Sequence, residues 1–522
     1  MHCGDTVMVP AGSATWTVQV TVKPPKGCSS YQGVTLQGKT VCNGTPGVQV
    51  TSCTDNTNIT LSYSNTGLYI GPCSTSSFCT LTGFTFIAGV TASNGAIDVV
   101  GTHGQVSFRL HHYHFKNSLS GGVLTFALDG YGLIDHYLVD DTNSSDPATP
   151  VNVGGDFPTR GYLNWNDPSN FGSNEAVYIE DSESNSLIAN AEGFYDGYYG
   201  CKIVVRYTTI NGNQLGGGHG TDSGSERGCV SAEFYDDTLT NNTSKRYPVF
   251  NTRSGTYLFF NNVVKGSTGY SNIDLQYYRI SSKTPQEAST WGIAGPGLNW
   301  TPISTTETSA LSDINTLNAP DWQPNHAYGA GAAVGPRSNN AGQGSGAGGY
   351  NFQNKGACTS GGGIPSWTQT VGGTTSDGNC VWMNVGGGTT ASASLGIAGF
   401  CAANPDTLAA TNLICSGLLS GDTASRYFDA NGGVYPYRDQ PGRVHNQVLA
   451  PNYNWNNSGS ALPNPVMMTD SSTSSIIQEG RDYYNNTQMP GYTAYTYPHP
   501  LQTMGTQVQA PAAPTGLIAV VQ

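Results

Sequence analysis

The sequence predicts an all-β chain wound as a right-handed parallel β-helix, a solenoid, with a small inserted β module. Three observations predict it. A strand-length apolar pattern recurs: Gly83-Phe84-Thr85-Phe86-Ile87, Tyr113-His114-Phe115, Ile134–Val139, Val177-Tyr178-Ile179, Ile203–Tyr207, Glu233-Phe234-Tyr235 and Tyr257–Phe260. From Val177 onward its spacing settles near 26 residues, a period that marks stacked supersecondary units. The pieces are rich in β-branched and aromatic residues and closed by Asn, Asp or Gly, while amphipathic helices are almost absent over the first 300 residues. Helical crossovers are therefore excluded, and the period is too long for hairpins. Three short strands and three turns per coil satisfy both conditions.

Residues 1–300 read as the solenoid. It starts with Thr6-Val7-Met8-Val9, a Pro10-Ala11-Gly12 turn and Trp16–Val22, and alternation continues through Val34–Gln37 and Ile59–Ser62. Residues 301–320 read as a connector. Residues 321–388 change character: Asp321-Trp322, Tyr328, Tyr350-Asn351-Phe352, Trp367 and Cys380-Val381-Trp382 mark a compact aromatic-rich insert. Residues 389–424 read as an irregular connector. Residues 425–505 return to the stack or cap it, and their last stretch, Pro490 to Pro500, holds too many prolines for a central strand. Residues 506–522 are a Pro/Ala-rich tail.

Composition narrows the function. Charged residues are 11% of the 522, against roughly 25% in an average soluble protein, and the net charge is −13. With no basic run to meet phosphates, nucleic acid is excluded as a partner. Twelve cysteines in a Gly- and Asn-rich β chain indicate an oxidising compartment, so the protein is expected to be secreted or extracellular. Met1-His2-Cys3 leads straight into the first strand, so any leader is expected to have been removed. No apolar run reaches the length of a membrane span. Spacing pairs Cys73 with Cys79, Cys358 with Cys380 and Cys401 with Cys415. Cys201 and Cys229 lie about one repeat apart, within reach across stacked strands. Cys3, Cys28, Cys42 and Cys53 form two further bonds of open connectivity.

Several motifs resemble the pectin-lyase-like β-helix superfamily. They are the opening Gly4-Asp5-Thr6-Val7-Met8-Val9-Pro10-Ala11-Gly12, the triplet Ile134-Asp135-His136, and the strand ends Phe234-Tyr235-Asp236-Asp237-Thr238-Leu239 and Phe259-Phe260-Asn261-Asn262-Val263-Val264. The resemblance covers about residues 3–285 and returns at 425–500. It implies the architecture; lyases, hydrolases, epimerases, tailspikes and adhesins all share it. The insert resembles small chitin- and cellulose-binding modules, through Trp322, Tyr328 and Val334 at its start, the Tyr350-Asn351-Phe352 strand and the late Trp382.

Strand alternation sorts the candidate chemistry. Ile203 and Val205 point in, so Lys202, Val204 and Arg206 point out. Likewise Tyr178 and Glu180 point out in the coil before, and Glu233 and Tyr235 in the coil after. Glu180, Arg206 and Glu233 are separated by 26 and 27 residues, so in-register coils would stack them as a Glu–Arg–Glu column beside Lys202. The β-helix lyases work on such a wall. There a Lys or Arg abstracts the proton α to a uronate carboxyl while carboxylates, often through calcium, neutralise the substrate's acid. The resemblance thus makes Lys202 and Arg206 base or charge sink, and Glu180 and Glu233 sugar or calcium ligands flanked by Tyr178 and Tyr235. The plainer reading of the column is an ion-pair ladder.

A second cluster lies in the Gly-rich run Gly216–Arg227, where His219 can act as general acid or base with Asp222 orienting it. Its plainer reading is a self-capping turn. His111, His112, His114 and His136 form a third group, read as stacked or hydrogen-bonded rings ahead of a metal site. In the insert, Trp322, Trp367 and Trp382 are candidates to stack on sugar faces, although a module this small needs two or three of its aromatics inside. Two functions fit. One is a secreted protein that binds and cleaves polysaccharide, as a lyase of uronate-containing glycan or a related glycosidase. The other is a non-catalytic extracellular structural protein: an adhesin, a tailspike-like fibre or a filament subunit, assembled as a homo-oligomer.

Overall fold

Along the two long sheets, successive strands of a track pair side by side, most of them one repeat apart. The computed structural model describes residues 1–276, 322–386 and 441–503, apart from 90–94, 117–121, 142–148, 157–163, 165–168, 186–192, 213, 220–227, 242–245, 323, 330–331, 335–350, 355, 371, 443–448, 470–473 and 475–476. Within these residues the chain is all-β. Eighteen strands form one sheet and ten form another, and the pairings inside both are parallel. In the larger sheet Val177–Glu180 lies beside Lys202–Arg206, which lies beside Ser231–Tyr235, then Thr256–Phe260. The next neighbour is Asn452–Trp455, so the chain rejoins the stack beyond the insert. The smaller sheet runs through Tyr195–Tyr198, Gly216–Gly218, Phe250–Thr252 and Ile273–Leu275 to Met467–Thr469.

The Asn and Asp residues that close the pieces have a physical reason. Within the larger sheet the chain turns a corner after each strand of one track. The corner residue is left-handed in coil after coil: Gly83, His112, His136, Asp181, Tyr207, Asp236, Asn261 and Asn456 all have φ between 50° and 78°. Gly, Asn and Asp tolerate that region best. Just beyond the corner a ladder of side chains caps the backbone. Asp237 Oδ1 accepts from Thr208 N–H at 2.9 Å, Asn262 Oδ1 from Asp237 N–H at 3.0 Å, and Asn457 Oδ1 from Asn262 N–H at 3.0 Å.

Alternation decides what is inside. Val177, Ile179, Ile203, Val205, Ala232, Phe234, Tyr257 and Phe259 lie in one continuous core. Their outward neighbours Tyr178, Val204, Tyr235, Leu258 and Phe260 form a second apolar layer with Trp455 and Leu501. Its rings stack in register, Tyr235 on Phe260 at 4.6 Å and Phe260 on Trp455 at 4.2 Å. This layer is closed from outside by the proline-rich C-terminal stretch, whose Met489, Tyr492 and Tyr495 pack on it. Facing out from the sheet is therefore not facing water.

Disulfides join Cys3–Cys28, Cys42–Cys53, Cys73–Cys79, Cys201–Cys229 and Cys358–Cys380. Cys401 and Cys415 lie outside the described residues. Between Trp322 and Gly386 the pairing changes to antiparallel. Here Trp322, Val334, Phe352, Trp367 and Trp382 form a separate core. Both Trp322 and Trp382 donate their indole N–H to Asp377 Oδ2, at 2.7 and 2.9 Å. The three tryptophans expected to offer a face to sugar are thus spent on the interior. Tyr328 is half-buried at the edge of the cluster.

Candidate functional site

The Glu–Arg–Glu column is corrected by register. Glu180 does pair with Arg206, 26 residues on, but Arg206 pairs with Tyr235, 29 residues on. Glu233 stands beside Val204 instead. The cause is the longer coil between them, which carries the run after Gly218 and is tied by Cys201–Cys229. The actual column is His111, Asp135, Glu180, Arg206, Tyr235, Phe260, Trp455.

Its charges are enclosed. The side chains of Arg206 and Glu180 are both 0% exposed, and Lys202 and Glu233 are buried. Arg206 Nε donates to Glu180 Oε2 at 2.6 Å, and Nη1 to the Tyr235 hydroxyl at 2.8 Å. Its remaining donors reach the C-terminal strap, Nη1 to Tyr495 O at 2.7 Å and Nη2 to Thr496 O at 2.9 Å. The guanidinium also lies 4.8 Å from the Tyr178 ring and 5.2 Å from that of Tyr497. Burial works against this cation, but the Glu180 carboxylate overrides it and holds the guanidinium firmly protonated.

The calcium expectation meets the same enclosure. Glu180 Oε1 accepts from His499 N–H at 2.8 Å and Gln502 Nε2 at 2.6 Å. Glu233 Oε1 accepts from Gly172 N–H at 2.9 Å, and Oε2 from the Tyr492 hydroxyl. Burial lifts the Glu233 carboxyl above its ordinary range despite those donors. All four carboxylate oxygens are aimed at N–H or O–H donors, and the two groups are out of register. Neither fits the oxygen-rich shell that calcium needs. The Lys202 ammonium sits 5.7 Å from the Tyr131 ring, inside the wall.

The histidines stack. His112 lies on His136 at 4.3 Å, nearly parallel. Among the described residues His112, Asp135 and His136 bring ligand atoms within 4.8 Å of one another. The hydrogen bonds argue against a metal there. His136 Nδ1 faces Asp135 Oδ2 at 2.8 Å, and Nε2 faces the carbonyls of Thr45 and Val48 at 3.0 and 3.1 Å. All of these are acceptors, so both nitrogens donate and no lone pair remains. Burial disfavours that imidazolium, but Asp135 outweighs it and raises His136. Burial, then the neighbouring His136 charge, lowers His112 to about 4. Asp135 in turn accepts from Arg109 Nε and Nη2 at 2.9 and 2.8 Å. His114 stands apart, between Asp55 Oδ1 at 2.8 Å and Asp140 Oδ2 at 3.1 Å.

The smaller sheet carries the exposed chemistry. Its outward track runs through Tyr198, His219, Arg253 and Gln276, one residue per coil and all half-exposed. His219 Nε2 lies 3.2 Å from Asp196 Oδ1, with their side chains 36% and 20% exposed. His219 Nδ1 lies 3.2 Å from Arg253 Nη1. A guanidinium only donates, so Nδ1 accepts and the ring proton sits on Nε2, facing Asp196. The backbone of His219 is pinned. Its N–H donates to Gly197 O at 2.8 Å, and its carbonyl accepts from Cys229 N–H and Ser254 Oγ at 3.1 and 2.6 Å. Gly218 is required because the Tyr257 hydroxyl fills the space a Cβ would take. Tyr198 stands edge-on to the imidazole at 5.9 Å.

Of the residues expected to act together, His219 is thus the one set among exposed ionisable partners. Asp222 lies outside the described residues. Asp196 and Arg253 escaped the sequence reading because Gly216–Gly218 reads as a loop. As a strand it sets Tyr198, His219 and Arg253 in one file. Neither a comparison with protein-family models nor a search of curated proteins finds a match.

Proposed function

We propose that this chain is an extracellular right-handed parallel β-helix of the pectin-lyase-like kind that binds and cleaves uronate-containing polysaccharide at the Asp196–His219–Arg253 wall. The observation that carries the reading is the half-exposed imidazole between a carboxylate and a guanidinium on a rigid sheet. Arg253 suits a uronate carboxylate, which a guanidinium recognises in a planar fork. Asp196 and His219 are a proton-transfer couple beside it, and the Tyr198 ring offers an apolar face for a sugar. The disulfides support an oxidising compartment. No helix among the described residues is long and apolar enough to cross a membrane.

The test is incubation with homopolymeric uronates, following both new reducing ends and the ultraviolet absorbance of unsaturated ends. Hydrolysis raises the first alone; a lyase raises both. Asp196→Asn, His219→Ala and Arg253→Ala each abolish the signal with the fold retained. An unchanged rate in all three would remove the assignment.

A second reading is favoured by a different observation. Among the described residues the first strands, Asp5–Met8 and Gly12–Trp16, pair on one side only, and Val7, Met8 and Val18 beside them are exposed. An open parallel edge with apolar side chains is a template for another chain. As a fibre or filament subunit the protein would form discrete oligomers in light scattering, and Val7→Lys with Val18→Lys would dissociate them.

A further inference from the structure

The smaller sheet continues past the Asp196–His219 wall toward the N-terminus. One outward file of its residues is Thr21, Tyr69, Asp98, Phe126, Asn152, Asp196, Gly217, each paired in register with the next on the neighbouring strand. At the far end of that file lies a depression of about 470 Å³ lined by Gln19, Thr21, Lys23, Tyr69, Gly71 and Pro72. Its origin is local. Val20–Val22 is the edge strand of the sheet and pairs only with Leu68–Ile70 among the described residues. Val20 and Val22 turn inward, so Gln19, Thr21 and Lys23 present their side chains on the outer face. Gly71, at φ 151°, then carries the chain away and opens the floor beside the half-buried Tyr69 ring.

We infer that this depression is a second, distal subsite for a sugar unit of the same glycan chain, resting on the function proposed above. Tyr69 supplies a ring face, Lys23 a cation for a uronate carboxylate and Gln19 a neutral hydrogen-bonding group. Four strand steps separate Tyr69 from Asp196 in the register, a distance of about 19 Å at the usual spacing. A pyranose unit advances an extended chain by roughly one such spacing. Asp98, Phe126 and Asn152 between them are buried, so a glycan passes over what covers them by a path longer than this straight line; a short oligomer held at His219 falls short of Tyr69, and a longer one reaches it. Two contacts on one chain act with high effective concentration, so the distal site adds affinity only for substrates long enough to span both. Asp98, the neighbour of Tyr69 in the file, is pushed by burial to about 7, so near neutrality its negative charge opposes an anionic ligand only in part. The competing role for Lys23 is protection of an edge strand from pairing with another chain.

The experiment measures binding and cleavage of oligogalacturonides of graded length, and of the polymer, by the full chain and by Lys23→Ala, Tyr69→Leu and His219→Ala. Lys23 is exposed and Tyr69→Leu keeps an apolar body, so both variants leave the stack intact; thermal melting checks this. In the wild type, affinity rises with length and then levels off. Lys23→Ala and Tyr69→Leu each remove about tenfold of that gain for long chains, the size of one ring or charge contact, and leave short oligomers and their kcat unchanged. His219→Ala abolishes cleavage at all lengths and keeps the length-dependent part of binding. Equal affinity of wild type, Lys23→Ala and Tyr69→Leu at every length would overturn the subsite while the catalytic wall stands. A change in aggregation alone would assign Lys23 to edge protection and overturn the subsite too. No binding of any uronate by the wild type would overturn both.

Discussion

Arg206→Leu should loosen the C-terminal strap rather than abolish a reaction. The guanidinium makes four hydrogen bonds: to Glu180, to the Tyr235 hydroxyl and to the Tyr495 and Thr496 carbonyls. Leucine fills part of the volume but leaves Glu180 as a buried carboxylate whose cation is gone. Breaking one side of a buried ion pair costs about 3–5 kcal/mol. The two carbonyls lie on the strap, so the loss appears as opening of residues 489–502. Hydrogen exchange reads this directly. Protection of strap amides such as that of His499, which donates to Glu180 Oε1, should fall by roughly a hundredfold to several thousandfold. The double variant Glu180→Leu with Arg206→Leu removes both charges, and its loss should be well below that of the single variant. Unchanged strap protection in Arg206→Leu would refute the view that the buried pair holds the strap to the wall.

Two further outcomes follow from groups outside the proposed site. Asp237→Asn should stabilise the protein by about 1 kcal/mol near neutral pH. Asp237 occupies a ladder position where Asn262 and Asn457 use their amide nitrogens to reach Phe234 O and Phe259 O, whereas Asp237 Oδ2 is buried with no hydrogen-bond partner among the described residues. Burial raises this carboxyl well above its ordinary 3.8, so its contribution is complete below that value and is lost as pH rises through the folded value. Urea melts across pH should show that decline in the wild type and not in the variant. His136 has the same sign. Despite burial its imidazolium is favoured by Asp135, so the stability it contributes is present below the ordinary 6.5 and is lost as pH rises through the raised value. His136→Gln should flatten this slope and expose the 42–53 hairpin, whose Thr45 and Val48 carbonyls it holds, to protease.

Legibility in the sequence followed the physics of each feature. The period of apolar pieces sets strands side by side, so parallel pairing and the Cys201–Cys229 link could be read. Left-handed corners favour Asn, Asp and Gly, so the strand ends could be read as well. Alternation sorted Tyr178, Val204 and Tyr235 from Ile179, Val205 and Phe234 correctly. Register did not follow from the period, because one coil longer by a few residues moved Glu233 from Arg206 to Val204. Nor could spacing reveal the strap. The contacts of Glu180 with His499 and Gln502 span about 320 residues, and nothing in a local pattern relates two segments so far apart.

The strap changes what a clustered charge means on this scaffold. A chain with 11% charged residues draws attention to Glu180, Arg206 and Glu233 because charge is scarce. Yet these charges are fully hydrogen-bonded to one another, to neighbouring tyrosines and to backbone, which is how a buried charge is tolerated. They are scarce because they are structural: a wall closed by a proline-rich segment without sheet pairing needs side-chain donors and acceptors to meet that segment's backbone. The part of the smaller sheet around His219 has the opposite pattern. There the ionisable groups Asp196, His219 and Arg253 remain half-exposed, although apolar side chains would have packed as readily on a merely covered wall. Groups that keep access to water on a rigid sheet can meet a ligand, and those enclosed beneath a strap cannot, which is why the proposed site is set at Asp196, His219 and Arg253.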